Sequence, residues 1–362
     1  MTSAPAALEQ FVRSIPLFSL VAPSEMMDIL RLLRPVQLSS GQVLFKEGDP
    51  GKAMWVLGRG TEVSISSTAG GQRKNVVVAY AKSGEVIGEM ALVDDGARSG
   101  TATVTQEGLA HEIDAMEFHA LRDAFQPAAF KVLRQICIDL CKRLRATSER
   151  VVPSSQNALP KAPLPASSKA TAETLDLFAP FKPLPAVVKL ALAQKLEFIE
   201  VHEVTPLFGE GEDSDGTWFL VEGEVSVGRN GKTLANLVPG NLFGLVSAID
   251  AGKRSASCVT TGPAKLLKLS DHDFDLLFAS GHRFAFQIVD LVARQLVGHL
   301  RQTNAMVPAL GKRSPNTPVP TAPMTSLLAT PPGEMSESDL DLIPLELEID
   351  VDEAVITGEI VG

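Results

Sequence analysis

The chain has 362 residues, 45% of them apolar and only 5% aromatic, a length and composition that suit two globular domains and exceed one. Its net charge of −10 is local: Glu334–Gly362 holds ten acidic residues and no basic ones, which leaves 33 acidic and 33 basic groups in the rest. That balance argues against a nucleic-acid backbone as the main partner, and no apolar run approaches the length of a membrane span.

Residues 1–10 have neither the charged flank nor the apolar block of a signal peptide, so a cytoplasmic protein is expected. Ser24 to Leu33 reads as an opening helical segment. Short strands broken by Gly, Asp and Asn turns follow; Val63 to Ile65, Val76 to Ala79 and Thr101 to Thr105 carry the β-branched enrichment of a compact β-roll. From Pro127 to Thr147 the apolar residues Phe130, Leu133, Cys137, Leu140 and Leu144 step by three and four. This is the seam of a long helix, packed either on a partner helix or on its own β-roll. Cys137 and Cys141 lie on this helix as two small core residues. With Cys258 they make an odd number without metal-ligand spacing, and the six histidines never pair at such spacing, so no metal is expected.

Residues 149–174, rich in Pro, Ser and Ala, read as a flexible linker between domains at 11–148 and 175–303. The second domain repeats the first: an opening helix (Pro185 to Leu196), strands, and a long helix from Arg283 to Thr303 with the seam Phe286, Val289, Ala293, Leu296 and Leu300. Residues 304–362 read as a disordered tail. It is first proline-rich, then acidic, with acid and hydrophobe alternating from Leu345 to Asp352 as a strand that adds to a partner's sheet edge would.

The two halves align by fixed offsets. Phe45, Gly48, Trp55 and Gly60 recur 163 residues later as Phe208, Gly211, Trp218 and Gly223; Gly88, Arg98, Phe118 and Leu144 recur 156 later as Gly244, Arg254, Phe274 and Leu300. The residues lost between them fall in a shorter hairpin around Asn230-Gly231. So the fold class expected is α+β, mainly β: two tandem jelly-roll domains with flanking helices, made by duplication.

The chemistry concentrates in Ile87 to Thr101. Gly88 permits a backbone conformation closed to other residues, the turn after it opens a helix start that favours an anion, and Arg98 supplies a charge-assisted contact to a phosphate. Glu89 repels phosphate, so its natural partner is a donor such as a sugar hydroxyl. Carboxylate and arginine together specify a nucleotide whose sugar hydroxyl and phosphate lie close together; a cyclic monophosphate fits, with the β-roll covering the base. In the second copy Leu245 replaces the acid while Arg254 remains. The missing partner costs about 1–3 kcal/mol, tenfold or more in affinity.

This stretch resembles the phosphate-binding cassette of the cyclic nucleotide-binding domain family, as in catabolite activator proteins and protein kinase A regulatory subunits. The resemblance extends to Ile15-Pro16-Leu17-Phe18, Glu47-Gly48-Asp49-Pro50-Gly51 and Gly60, with Ala97 where the family often has proline. It implies that Glu89 holds the ribose, that Arg98 holds the phosphate, and that Gly88, Met90, Ala91 and Ser99 line the cassette. Gly244, Arg254 and Ser255 form at most a weak second site. The expected ligand is cyclic AMP or cyclic GMP, and the expected role is that of a non-enzymatic sensor signalling through an unknown protein partner. A transcriptional regulator, a kinase regulatory subunit and a non-binding relic of the fold are the alternatives. No helix-turn-helix pattern or basic recognition helix follows either long helix, so direct DNA binding is not expected. The two seams of one chain would pair as a pseudo-dimer, within reach of a 26-residue linker spanning roughly 25–30 Å.

Overall fold

The computed structural model describes residues 4–68, 76–153, 164–281 and 283–306. The tail expected at 304–362 lies outside the described residues beyond Met306.

The first unit opens with α1 (Ala4–Arg13) and α2 (Met26–Leu30), then builds β1 (Arg34–Leu38), β2 (Val43–Phe45), β3 (Ala53–Leu57), β4 (Glu62–Ser67), β5 (Val76–Lys82), β6 (Val86–Ile87), β7 (Thr101–Gln106) and β8 (Gly108–Asp114). They form two four-stranded antiparallel sheets, ordered β1-β8-β3-β6 and β2-β7-β4-β5. α3 (Ala115–Asp123) and α4 (Pro127–Val151) follow. Local chemistry sets their starts: the Asp114 carboxylate accepts from the backbone N–H of Met116 and Glu117, and Pro127 occupies the first turn of α4.

The second unit repeats this plan. β9 (Ser168–Lys169), α5 (Ala172–Leu177) and α6 (Ala186–Lys195) precede β10 (Leu196–Val201), β11 (Pro206–Phe208), β12 (Thr217–Glu222), β13 (Val225–Arg229), β14 (Lys232–Leu237) and β15 (Leu242–Phe243). α7 (Leu245–Asp250), β16 (Ser257–Thr260), β17 (Ala264–Leu269), α8 (Asp271–Ala279) and α9 (Arg283–Met306) complete it. The sheets run β15-β12-β17-β10-β9 and β11-β16-β13-β14. Ser270 caps α8 as Asp114 caps α3.

Three details depart from the sequence reading. Residues 4–13 form an amphipathic helix, an element the sequence reading did not assign. The stretch expected as linker, 149–174, is structured at both ends. α4 runs on to Val151, and Ser168–Lys169 pair with Phe198 and Glu197 at the edge of the second unit's sheet. A Pro- and Ser-rich composition permits an edge strand, because one side of its backbone needs no sheet partner.

The seams settle where the long helices pack. Phe130, Leu133, Cys137, Leu140 and Leu144 of α4 and Phe286, Val289, Ala293, Leu296 and Leu300 of α9 are all buried in one core that is continuous across both units. Near the helix starts the Phe130 and Phe286 rings meet at 4.6 Å between centroids, and toward their ends Leu144, Ser148, Leu296 and Thr303 line one cavity. The helices therefore run parallel, and each closes over the other as well as over its own β-roll. Phe130 and Phe286 are equivalent positions, so their contact lies on a pseudo-twofold axis relating the units. In a subunit-like pairing of this kind the same patch on each side meets its own copy.

Candidate functional site

Gly88 follows β6 in the left-handed conformation at φ 77°, and Glu89–Leu92 make a single 3-10 turn. A Cβ on Gly88 would lie 2.6 Å from Arg98 Nη1, so glycine is required both by its φ and by the arginine folded against it. Arg98 is buried. Its Nη1 donates to the Gly88 carbonyl at 3.0 Å and its Nη2 to the Ala53 carbonyl at 2.5 Å, while its guanidinium lies 4.2 Å from the Phe45 ring centroid. Burial pulls the Arg98 pKa below its usual value, opposed by the charges of Glu89 and Asp49. The guanidinium still carries further N–H groups for an incoming anion.

Glu89 is also buried, and it is not paired with Arg98. Its Oε1 accepts from Arg143 Nη1 of α4, and the negative charge of Glu89 raises the Arg143 pKa. The long helix is thus tied directly to the cassette carboxylate, which retains acceptor capacity for a hydroxyl donor. Ala91 is buried and its carbonyl meets His119 Nε2 at 3.1 Å; Met90 is half-buried and Ser99 is exposed at the far end of the cassette. Gly88, Glu89, Met90, Ala91, Arg98 and Ser99 therefore lie along one continuous lip.

The second unit keeps the frame and changes the charges. Gly244 has φ 77°, and a Cβ there would lie 2.5 Å from Arg254 Nη1. Arg254, 2% exposed, donates from Nη1 to the Gly244 carbonyl at 3.1 Å and to Ser247 Oγ at 3.0 Å. Its Nη2 donates to the Gly216 carbonyl at 2.8 Å and to the Asp215 carboxylate at 2.7 Å. Lys268 holds the other Asp215 oxygen. The 163-residue offset puts Lys52 of the first unit at the position of Asp215, so only Arg254 has a carboxylate bound to it. Lys253, a neighbour of Arg254 in sequence, turns away to Asp213. Leu245 is buried where Glu89 stands in the first unit, and His299 occupies the position of Arg143.

Around Leu245 lies a mainly apolar cavity of about 100 Å³, whose lining includes Phe208, Leu234, Phe243, Leu245, Arg254 and Leu296. The equivalent strand residues report the difference between the units: Val78 is 50% exposed and its counterpart Leu234 is 8% exposed. The strand beside the first cassette is exposed, whereas in the second Leu234 turns inward to help line the small cavity around Leu245.

The family model for the cyclic nucleotide-binding domain matches residues 35–125 and 199–280, one stretch in each unit. The chain carries two tandem cyclic nucleotide-binding domains. A CRP-like cAMP-activated global transcriptional regulator of Mycobacterium tuberculosis is 28% identical over 146 residues, which are 40% of this chain and 62% of the regulator. A cAMP-dependent protein kinase regulatory subunit of Colletotrichum orbiculare is 31% identical over 99 residues, 27% of this chain and 24% of the subunit. The match thus spans less than two thirds of either relative. Among solved structures, the regulatory domain of Toxoplasma gondii PKA with cAMP aligns over 78% of this chain and 95% of its own at 18% identity, with a TM-score of 0.31.

Some residues that shape these two domains were not found from sequence. Arg143 and Asp215 carry no local motif, and each matters only through a partner distant in the chain. Asp215 did leave a trace, as the acid that replaces Lys52 in an otherwise matched frame.

Proposed function

We propose that this protein is a regulatory sensor that binds one cyclic nucleotide, in its first domain. The observation that carries this reading is the difference between the cassettes: a buried carboxylate and an arginine hydrogen-bonded to carbonyls in the first, a leucine and a carboxylate-bound arginine in the second. In the first domain Glu89 would accept a hydrogen bond from the ribose 2′-hydroxyl and Arg98 would donate to the cyclic phosphate. The apolar strand Val76–Tyr80 would provide a wall for the base. Cyclic AMP is the first candidate, because the mycobacterial and fungal relatives are named for it.

Isothermal titration with cyclic AMP and cyclic GMP tests this. One strong site per chain is expected, lost in Glu89→Ala and in Arg98→Ala. Two equal sites, or binding that survives both substitutions, would overturn it.

The output we assign is a protein–protein contact of a non-enzymatic, cytoplasmic regulator. Relatives of two kinds, a transcriptional regulator and kinase regulatory subunits, support a regulatory role without choosing between them. In the described residues after α4, the chain enters β9 and α5 of the second domain, not a pair of short helices suited to a DNA groove. A gel-shift assay with and without nucleotide separates the two outputs. A pull-down with residues 334–362 would identify a partner of the acidic tail, which lies outside the described residues.

A further inference from the structure

The interface between the domains repeats itself under the pseudo-twofold. Arg301 of α9 grips Asp94 of the first cassette with two bonds, Nη1–Oδ2 at 2.6 Å and Nη2–Oδ1 at 2.8 Å. Arg145 of α4 grips Asp250 of the second cassette, Nε–Oδ2 at 2.9 Å and Nη2–Oδ1 at 2.8 Å. Both members of each pair are related by the 156-residue offset. So are Gly96 and Gly252, whose added Cβ atoms would lie 2.4 Å from Arg301 Nη1 and 2.8 Å from Arg145 Nη2. A third position keeps its geometry while changing chemistry: Arg122 meets Asp290 at 3.3 Å, and at the equivalent places Arg134 lies over the Phe278 ring at 5.4 Å.

Asp94 stands between the two proposed ligand groups, Glu89 and Arg98. Its Oδ1 accepts from its own turn at Gly96 N, and the Gly96 carbonyl accepts from Gly51 N. Arg122 adds donors to the Leu92 and Val93 carbonyls of the same turn. Side chains that bind no ligand themselves therefore fix the backbone joining Glu89 to Arg98, and Arg301 comes from the other domain.

We propose that the second domain acts as a built-in partner subunit. Its α9 completes the ligand site of the first domain, with Arg301 as a positioning residue acting through Asp94, so that ligand binding and α9 docking are one coupled equilibrium. The proposal rests on the reading that domain 1 binds the nucleotide. Coupling of this kind is reciprocal: whatever factor docking adds to ligand affinity, ligand adds to docking.

The test uses the full chain, with cyclic AMP affinity read by titration. The domain–domain distance distribution is read by electron–electron resonance between labels at exposed Met116 and Leu190, each replaced by Cys. Arg301→Gln and Gly96→Ala, the latter displacing the guanidinium without removing a charge, are expected to weaken binding about tenfold. They should also broaden the distances, which ligand narrows in the wild type. The swap Asp94→Arg with Arg301→Asp should recover the narrow distances by restoring the clasp, but not the Asp94–Gly96 bond that also holds the turn. Arg145→Gln, which loosens the same interface from the far end, should weaken binding as well. Unchanged affinity in Arg145→Gln beside a loss in Arg301→Gln would overturn the coupling in favour of a local brace. Affinity within twofold in Arg301→Gln would overturn the proposal while leaving the nucleotide reading intact. No binding of cyclic AMP or cyclic GMP to the wild type would remove that reading and the coupling together.

Discussion

Two arginines, 156 residues apart, fold back on the carbonyls of their own cassettes and stack on equivalent phenylalanines, yet only Arg254 has a carboxylate on its Nη2. Leucine at position 245 is therefore not all that separates the two cassettes. Asp215 both offsets the arginine and repels a phosphate. We expect Leu245→Glu alone to leave one site per chain by titration, and Leu245→Glu with Asp215→Lys, which copies Lys52, to raise the stoichiometry above one. A second site from the single substitution would show that Asp215 does not matter. His299 gives the second domain a proton-linked property of its own, because burial lowers its pKa. Below the unfolded-state pKa of about 6.5 the unfolded chain takes up the proton first, and stability falls with pH by up to about 1.4 kcal/mol per unit until the lower folded pKa is passed. His111, lowered by burial in the same direction, adds a second such loss. His299→Leu should flatten the fall that sets in below about pH 6.5 in urea denaturation, leaving the share of His111. An unchanged slope would mean that His299 does not titrate differently on folding.

The elements that matter most are α4 and α9, whose facing seams join two β-rolls into one core. Phe286 touches both Phe125 and Phe130. Its replacement by Ala should cost about 3–5 kcal/mol in denaturant titration, the range for a large buried aromatic; a cost below about 1 kcal/mol would show a loosely packed seam. These helices were legible because their period of three and four residues is written locally, as were the β-branched strands and the cassette glycine that needs a positive φ. The site was legible where it is contiguous, from Gly88 to Ser99. It was not legible where it depends on chain-distant partners. Nothing near Glu89 announces Arg143, 54 residues on, and the arginine–aspartate clasps join residues more than a hundred positions apart. Only the repeat offset carries a trace of the clasps, since Asp94 with Asp250 and Arg145 with Arg301 keep the spacing of the cassette arginines. The edge strand Ser168–Lys169 was hidden for another reason: two residues are too few to show a period.

At the scale of the whole molecule, a shared core predicts shared unfolding. Trp55 and Trp218 stand at equivalent positions, one in each β-roll, so single-tryptophan variants can follow the domains separately. Their denaturation curves are expected to coincide; two resolved transitions would show that the helix seam does not couple the domains. With both seams satisfied inside the chain, sedimentation should report a monomer, and concentration-dependent dimers would point to pairing between chains. The covalent link between the halves has a further consequence. In an assembly of identical subunits every mutation appears at both sites at once, so neither pocket can be given up without losing the other. Joined in one chain, the copies mutate independently, and Leu245 and Asp215 could be installed while Glu89 was retained. With the proposed single site in the first domain, such a receptor would have no half-occupied form: its response should rise hyperbolically with ligand, with a Hill coefficient of about one, passing directly from empty to full.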